Sequence, residues 1–369
     1  AAILQGCRTS VPSGSPSDQW TIYRGDQQLT GFIAASVCDQ PKLLWSFQTQ
    51  DQIKSTPVIS QGCVYIGSTD AHLYALALKT GQLVWSFTGD EAFEAPALAL
   101  DTLIYVGSLN GTFYCLATKS GKELWRFPVN DRIMGSANWL LSPDGKEKWI
   151  VFGGYDNQLH CLNSLDGRPV WTIGTDNYIN GAPATDGKRI LFGGCDALLH
   201  VIDAATGQSL AEVDAGSYIP SSPAMRADLA FVGQYDGELL CIDLKTKTVA
   251  WRYSAAEQPQ PFFSSPAVTA DEVLIGCRDH HVHCIDIETG RKKWTFRSRN
   301  DVDGSPLVLA DRVVFGSMDG RVYMVDLKNG RLLWSYDIGK PLSGSPACAD
   351  GVLVIGSEDG RVYAFGCSE

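Results

Sequence analysis

The apolar positions of this chain fall in short runs, not at helical spacing. "VYIGS" (64–68), "HLYAL" (72–76) and "VVFGS" (313–317) are apolar nearly throughout, and turn residues separate such runs. Runs this short predict strands covered on both faces, and the turn spacing leaves no room for helices. The runs belong to a repeat. Trp85, Trp125, Trp171, Trp251, Trp294 and Trp334 share one frame, with Ala211 in the same slot. Successive members lie 40, 46, 40, 40, 43 and 40 residues apart. The two longer intervals hold turn-rich insertions near 142–146 and 258–261.

Each unit predicts four strands. The first follows a step such as Thr56-Pro57, Ala95-Pro96 or Ser305-Pro306, because proline cannot donate a ladder hydrogen bond and belongs at a strand start. Asp70, Asn110-Gly111 and Asp319-Gly320 mark hairpins between the second and third strands. Turns such as Thr80-Gly81 and Asn329-Gly330 precede the fourth strand, which carries the tryptophan. The last unit, "GSEDGRVYAF" (356–365), lacks a fourth strand, whereas "PKLLWSF" (41–47) matches "GRLLWSY" (330–336). Trp45 is therefore expected to complete the last sheet and seal a ring, leaving no open end for aggregation.

Composition narrows the picture. With 369 residues, 44% of them apolar, the chain can bury a large core. A net charge of −11 argues against a nucleic-acid partner, which needs a basic surface. No apolar run approaches the ~18 residues of a membrane helix. The 11 cysteines include no CxxC pair. Cys115, Cys161, Cys241 and Cys284 share a slot with Ala75 and Met324, which reads as a small buried apolar position.

"DGRVYMVDLKNGRLLW" (319–334) resembles the PQQ-like repeat named for the quinoprotein alcohol dehydrogenases, and the phrase recurs eight times over about residues 41–366. "WTIYRG" with "LTG" (20–31) resembles the lead-in of bacterial proteins of this class. The resemblance implies an all-β, eight-bladed propeller of four-stranded blades. Trp45, Trp85, Trp125, Trp171, Trp251, Trp294 and Trp334 would each dock one blade on the next, with a weaker seam at Ala211. The expected organisation is a lipobox-like start and tether over 1–19, a lead-in over 20–40, and the propeller over 41–369.

The same resemblance invites a PQQ-dependent dehydrogenase. Those enzymes are longer, and many carry an adjacent cysteine pair and a calcium site beside a catalytic Asp. Here no Cys-Cys occurs and the recurrent aspartates sit in hairpins. No Gly-x-Ser-x-Gly, phosphate loop or zinc signature is present. The expectation is a non-enzyme without cofactor, with a quinoprotein dehydrogenase or a small-ligand sensor as alternatives. "CRDHHVHC" (277–284) places His280, His281 and His283 together, yet His283 falls in the aromatic slot of Tyr74 and Tyr323. Packing is the expected role, and no metal.

Residues three before each strand-opening proline should ring one channel mouth: Lys54, Phe93, Asn180, Pro220, Phe263, Asp303 and Ser343, with Met134 in the divergent unit. Trp139, Phe262 and Phe263 are candidate contact aromatics, since aromatics dominate binding hot spots. "ILQGC" (3–7) resembles a lipobox, which would lipidate Cys7, and "RTSVPSGSPSD" (8–18) has the composition of a tether. The expected protein is a monomeric, exported scaffold similar to the BamB-type outer-membrane assembly lipoproteins. Its partners would be proteins, among them outer-membrane assembly components. No nucleic acid is expected, membrane contact would run only through the lipid, and the location would be periplasm or cell envelope.

Overall fold

A computed structural model describes residues 19–255 and 259–367, so Cys7 lies outside the described residues. Eight sheets, each with four antiparallel strands, account for the repeat, and no helix occurs among the described residues. The first blade runs Val58–Ser60, Cys63–Gly67, His72–Ala77 and Leu83–Thr88 from hub to rim. Its three inner strands are buried on both faces because neighbouring blades cover them, which explains their continuous apolar runs. The rim strand is buried mainly at Trp85, so its pattern alternates. The eighth blade takes its rim strand, Lys42–Gln48, from the other end of the chain. Trp45 pairs with Ala364 and Phe47 with Val362, which seals the ring as expected.

A tryptophan and a glycine lock most seams. The indoles of Trp45, Trp85, Trp125, Trp171, Trp251 and Trp294 lie on Gly81, Gly121, Gly167, Gly207, Gly290 and Gly330 of the next blade, so close that a Cβ there would sit 2.5–2.9 Å from the ring. Each glycine is also in the left-handed region, with φ between 64° and 73°. Trp45, Trp85, Trp251 and Trp294 donate to the carbonyls of Leu78, Thr118, Ile287 and Leu327 at 2.7–3.0 Å. Trp334 packs edge-on to Phe365 of the eighth blade.

The seam at Ala211 departs on both sides at once. Lys247 stands where the other turns have glycine, at φ 61°, and its Nζ donates to the Leu210 carbonyl at 2.7 Å. A lysine hydrogen bond thus crosses the seam that carries no indole. Ala211→Trp alone should therefore bring no stability, whereas Ala211→Trp with Lys247→Gly should gain about 1–3 kcal/mol. A urea double-mutant cycle checks this, and strict additivity would refute the pairing.

The lead-in does not lie outside the ring. It winds through the hub as a hoop and bonds to the innermost strands in blade order. Trp20 exchanges two main-chain bonds with Ile59, and Thr21 accepts from Ala99. Gln27 donates to the Trp139 carbonyl and accepts from Asn138 and Thr185. Gln28, Thr30 and Gly31 accept from Met225, Val268 and Val308, and Phe32–Ile33 adds a short parallel strand beside Leu307–Leu309. The amides that point into the hub, which a channel would leave to water, are thereby paired. Trp20, Ile22, Arg24 and Leu29 fill the middle and are at most 2% exposed. Burial lowers the Arg24 guanidinium to about 10, against the raising influence of Tyr23 and Asp26.

Candidate functional site

The hoop makes the hub a blind cup. Along each innermost strand, the residue that meets the hoop follows by three the residue that lines the cup: Thr56 and Ile59, Ser136 and Trp139, Ser222 and Met225, Ser265 and Val268, Ser305 and Val308. At about 3.3 Å per residue the hoop lies roughly 10 Å below these lining residues. Tyr23 rises from it as the floor, with its hydroxyl 3.1 Å from both Ser265 Oγ and Ser305 Oγ.

A relay of hydroxyls runs round the wall. The amides of Ala182, Ser222, Ser265, Ser305 and Ser345 donate in turn to Ser222 Oγ, Ser265 Oγ, Ser305 Oγ, Ser345 Oγ and Thr56 Oγ1, at 2.8–3.1 Å. Each hydroxyl satisfies the amide of the neighbouring blade where no strand can reach it. The relay stops at Pro96, which has neither hydroxyl nor N–H. The cup holds about 460 Å³.

Aromatic rings form a crescent along one side of the rim. Tyr155 stacks on Tyr178 at 4.8 Å, and Tyr218 on Tyr235 at 4.3 Å. Tyr235 meets Phe263 edge-on at 6.0 Å, and the Arg278 guanidinium lies 3.7 Å over the Phe263 ring. Arg278 also grips Asp303 through two bonds of 2.9 and 2.8 Å. Lys54 and Glu94 pair at 3.1 Å elsewhere on the rim. Tyr178 and Tyr235 remain 42% and 38% exposed, so the crescent offers open ring surface.

Lys54, Met134, Asn180, Pro220, Phe263, Asp303 and Ser343 do come together on this cup. Phe93 does not. It is fully buried against Gly67, as Ile53 is against Gly356 and Ile133 against Gly107, and Glu94 lines the cup in its stead. The proline of the second blade sits one residue early in the frame, which misplaced the alignment there. Phe262 fills the same core slot against Gly233. Trp139 belongs to the level of the hoop, half-buried beside Gln27, with Lys148 Nζ 5.4 Å from its ring. The sequence reading missed Tyr155, Tyr178, Tyr218 and Tyr235, although Tyr155 and Tyr235 stand immediately before the hairpin aspartate in the repeat frame.

The histidine cluster is a hairpin lock. Cys277, Asp279 and His283 bring three potential ligand atoms together. His283 is, however, bonded on both sides, with Nε2 3.1 Å from Asp279 and Nδ1 3.0 Å from the Tyr253 hydroxyl. The same ring-to-aspartate bond recurs from Tyr74 to Asp70, His160 to Asp156, His200 to Asp196, Tyr323 to Asp319 and Tyr363 to Asp359. Burial acts to raise the Asp279 carboxyl, but the bond and charge of His283 hold it below the ordinary value.

A quinone with a divalent cation needs spare cations for the quinone carboxylates and spare carboxylates for the metal. Of the cations at the cup and its rim, Lys54 and Arg278 are already paired with Glu94 and Asp303, and Arg132 lies 4.6 Å over the Tyr155 ring. The one three-ligand cluster among the described residues is the hairpin lock. The cup residues do not fit that group.

A family model described as outer membrane protein assembly factor BamB matches residues 11–100 and 195–369. The chain belongs to this family of PQQ-like propellers. A second model, the lambda-carrageenase beta-propeller domain, matches residues 101–190, which hold the divergent third blade of this BamB-family chain. No curated protein matches significantly. Among solved structures, the computationally designed Ika8 protein is 19% identical with a TM-score of 0.76, over 88% of this chain and 100% of its own. BamB from Moraxella catarrhalis is 17% identical with a TM-score of 0.70, over 89% and 98%. Quinohemoprotein alcohol dehydrogenase from Comamonas testosteroni is 12% identical with a TM-score of 0.79, over 96% and 82%. At these identities the structural likeness speaks for the propeller fold, which the BamB family and the dehydrogenase share.

Proposed function

We propose that this BamB-family propeller is a non-catalytic scaffold of the cell envelope, tethered through Cys7, that binds a protein partner at the cup. The observation that carries the reading is the crescent of Tyr178, Tyr218, Tyr235 and Phe263. It presents open aromatic surface at the rim, while Arg278 beside it is already paired with Asp303. Aromatic anchors beside ready-made ion pairs suit protein recognition, because no charge has to be buried without a counter-charge.

Tagged protein with Tyr235→Ala and Phe263→Ala should lose at least about 30-fold in affinity for its envelope partner, the loss expected when one hot spot is removed. The test is a pull-down from native membranes followed by titration. Recovery of outer-membrane assembly components by the parent protein, lost in the variant, supports the reading. Equal recovery by both proteins excludes the cup as the docking site.

A further inference from the structure

We propose that Cys38 and Cys367 form a disulfide that closes the eighth blade covalently. In the other blades the third and fourth strands are joined by a continuous turn. Leu78 begins that turn in the first blade, and Leu327 holds the same place in the seventh. The eighth blade is cut open there, because its third strand, Arg361–Gly366, and its rim strand, Lys42–Gln48, come from opposite ends of the chain. The 40-residue frame puts Cys367 in this slot from one side, forty after Leu327. It puts Cys38 in the same slot from the other, forty before Leu78. Two cysteines thus share one structural position at the break.

The local structure holds them together. Lys42 pairs with Gly366, the residue just before Cys367. Residues 37–40 are pinned against the seventh blade, where Arg312 donates to the Val37 carbonyl at 2.8 Å and pairs with Asp39. Gln40 Nε2 donates to the Leu333 carbonyl at 3.2 Å. Burial pushes the Cys38 thiol up to about 11, and the neighbouring Cys367 thiol adds to the rise. Cys367 is exposed and Cys38 half-buried, whereas six of the other free cysteines are buried in the blades.

The oxidant is an external disulfide, such as oxidised glutathione or a disulfide oxidoreductase. The exposed Cys367 thiolate attacks one of its sulfurs, forming a mixed disulfide and expelling one thiolate. The Cys38 sulfur then attacks Cys367 Sγ, which forms the Cys38–Cys367 bond and expels the second thiolate. Each expelled thiolate takes up one of the protons given up by the two cysteines. The protein loses two electrons and the external disulfide is reduced to two thiols.

Native protein equilibrated with oxidised glutathione, alkylated without reduction and digested, should yield one linked pair of peptides containing Cys38 and Cys367. The oxidised form should unfold about 5 °C or more above the reduced form, because the bond closes nearly the whole chain into one loop. Cys38→Ser and Cys367→Ser should each abolish that difference, and Cys195→Ser should leave it intact. Recovery of both Cys38 and Cys367 as alkylated free thiols from wild-type protein would overturn the proposal, and so would linkage of either to another cysteine. That readout requires no variant.

Discussion

Deletion of residues 19–33 is expected to abolish cooperative unfolding. The hoop accepts the main-chain amides of Ile59, Ala99, Thr185, Met225, Val268 and Val308. A net hydrogen bond contributes about 1 kcal/mol, and each buried apolar side chain about 1.5–3 kcal/mol. With Trp20, Ile22 and Leu29 added, the loss is on the order of 10 kcal/mol, comparable with the whole stability of an ordinary domain. Thermal and urea melts followed by tryptophan fluorescence and circular dichroism check it. Tyr23→Phe is the matched control. It removes only the hydroxyl contacts to Ser265 and Ser305 and should cost about 1 kcal/mol. A deletion variant that melts like the parent would show that the blades hold together by themselves.

Trp85→Ala should cost about 3–5 kcal/mol. The indole is 8% exposed, donates to the Thr118 carbonyl at 2.7 Å, lies on Gly121 and packs 5.7 Å from the Tyr65 ring. Its removal leaves a cavity between two rigid sheets that cannot collapse into it. The glycine side of the lock can be tested separately. Gly62 and Gly121 both have positive φ, 75° and 64°. A Cβ at Gly62 meets nothing within 4 Å, whereas one at Gly121 falls 2.5 Å from Trp85. Gly62→Ala therefore measures the backbone cost alone, about 1 kcal/mol, and Gly121→Ala adds the displaced indole. Equal losses for the two alanines would falsify the lock.

The ring was legible because its evidence is repeated. Trp45 could be assigned to the last blade since its "LLWS" recurs at Trp334, and the pairing with Ala364 follows. The hoop left no comparable trace. Its bonds are made mostly by main-chain groups of residues that do not repeat, and side-chain patterning does not encode those. Gly25 and Gly31, at φ 87° and 65°, are its local signs, needed for the tight turns around Trp20 and Arg24. The cup was half-legible. Counting back from proline found Lys54, Asn180 and Asp303 but failed at Phe93, where a strict 40-residue step from Lys54 would have reached Glu94. The crescent was in view as departures from the frame: Tyr155 and Tyr235 stand where Thr69, Met318 and Glu358 stand in other units.

The hoop also bears on how quickly the molecule can assemble. Residues 20–48 touch every blade, seven from within and the eighth along its edge, and many of these partners lie hundreds of positions away in the chain. Such distant pairings slow the search for the native state, since the entropy of closing each long loop is lost before its contacts form. Partly built rings would expose apolar sheet faces in the meantime, a state that invites aggregation and benefits from chaperones.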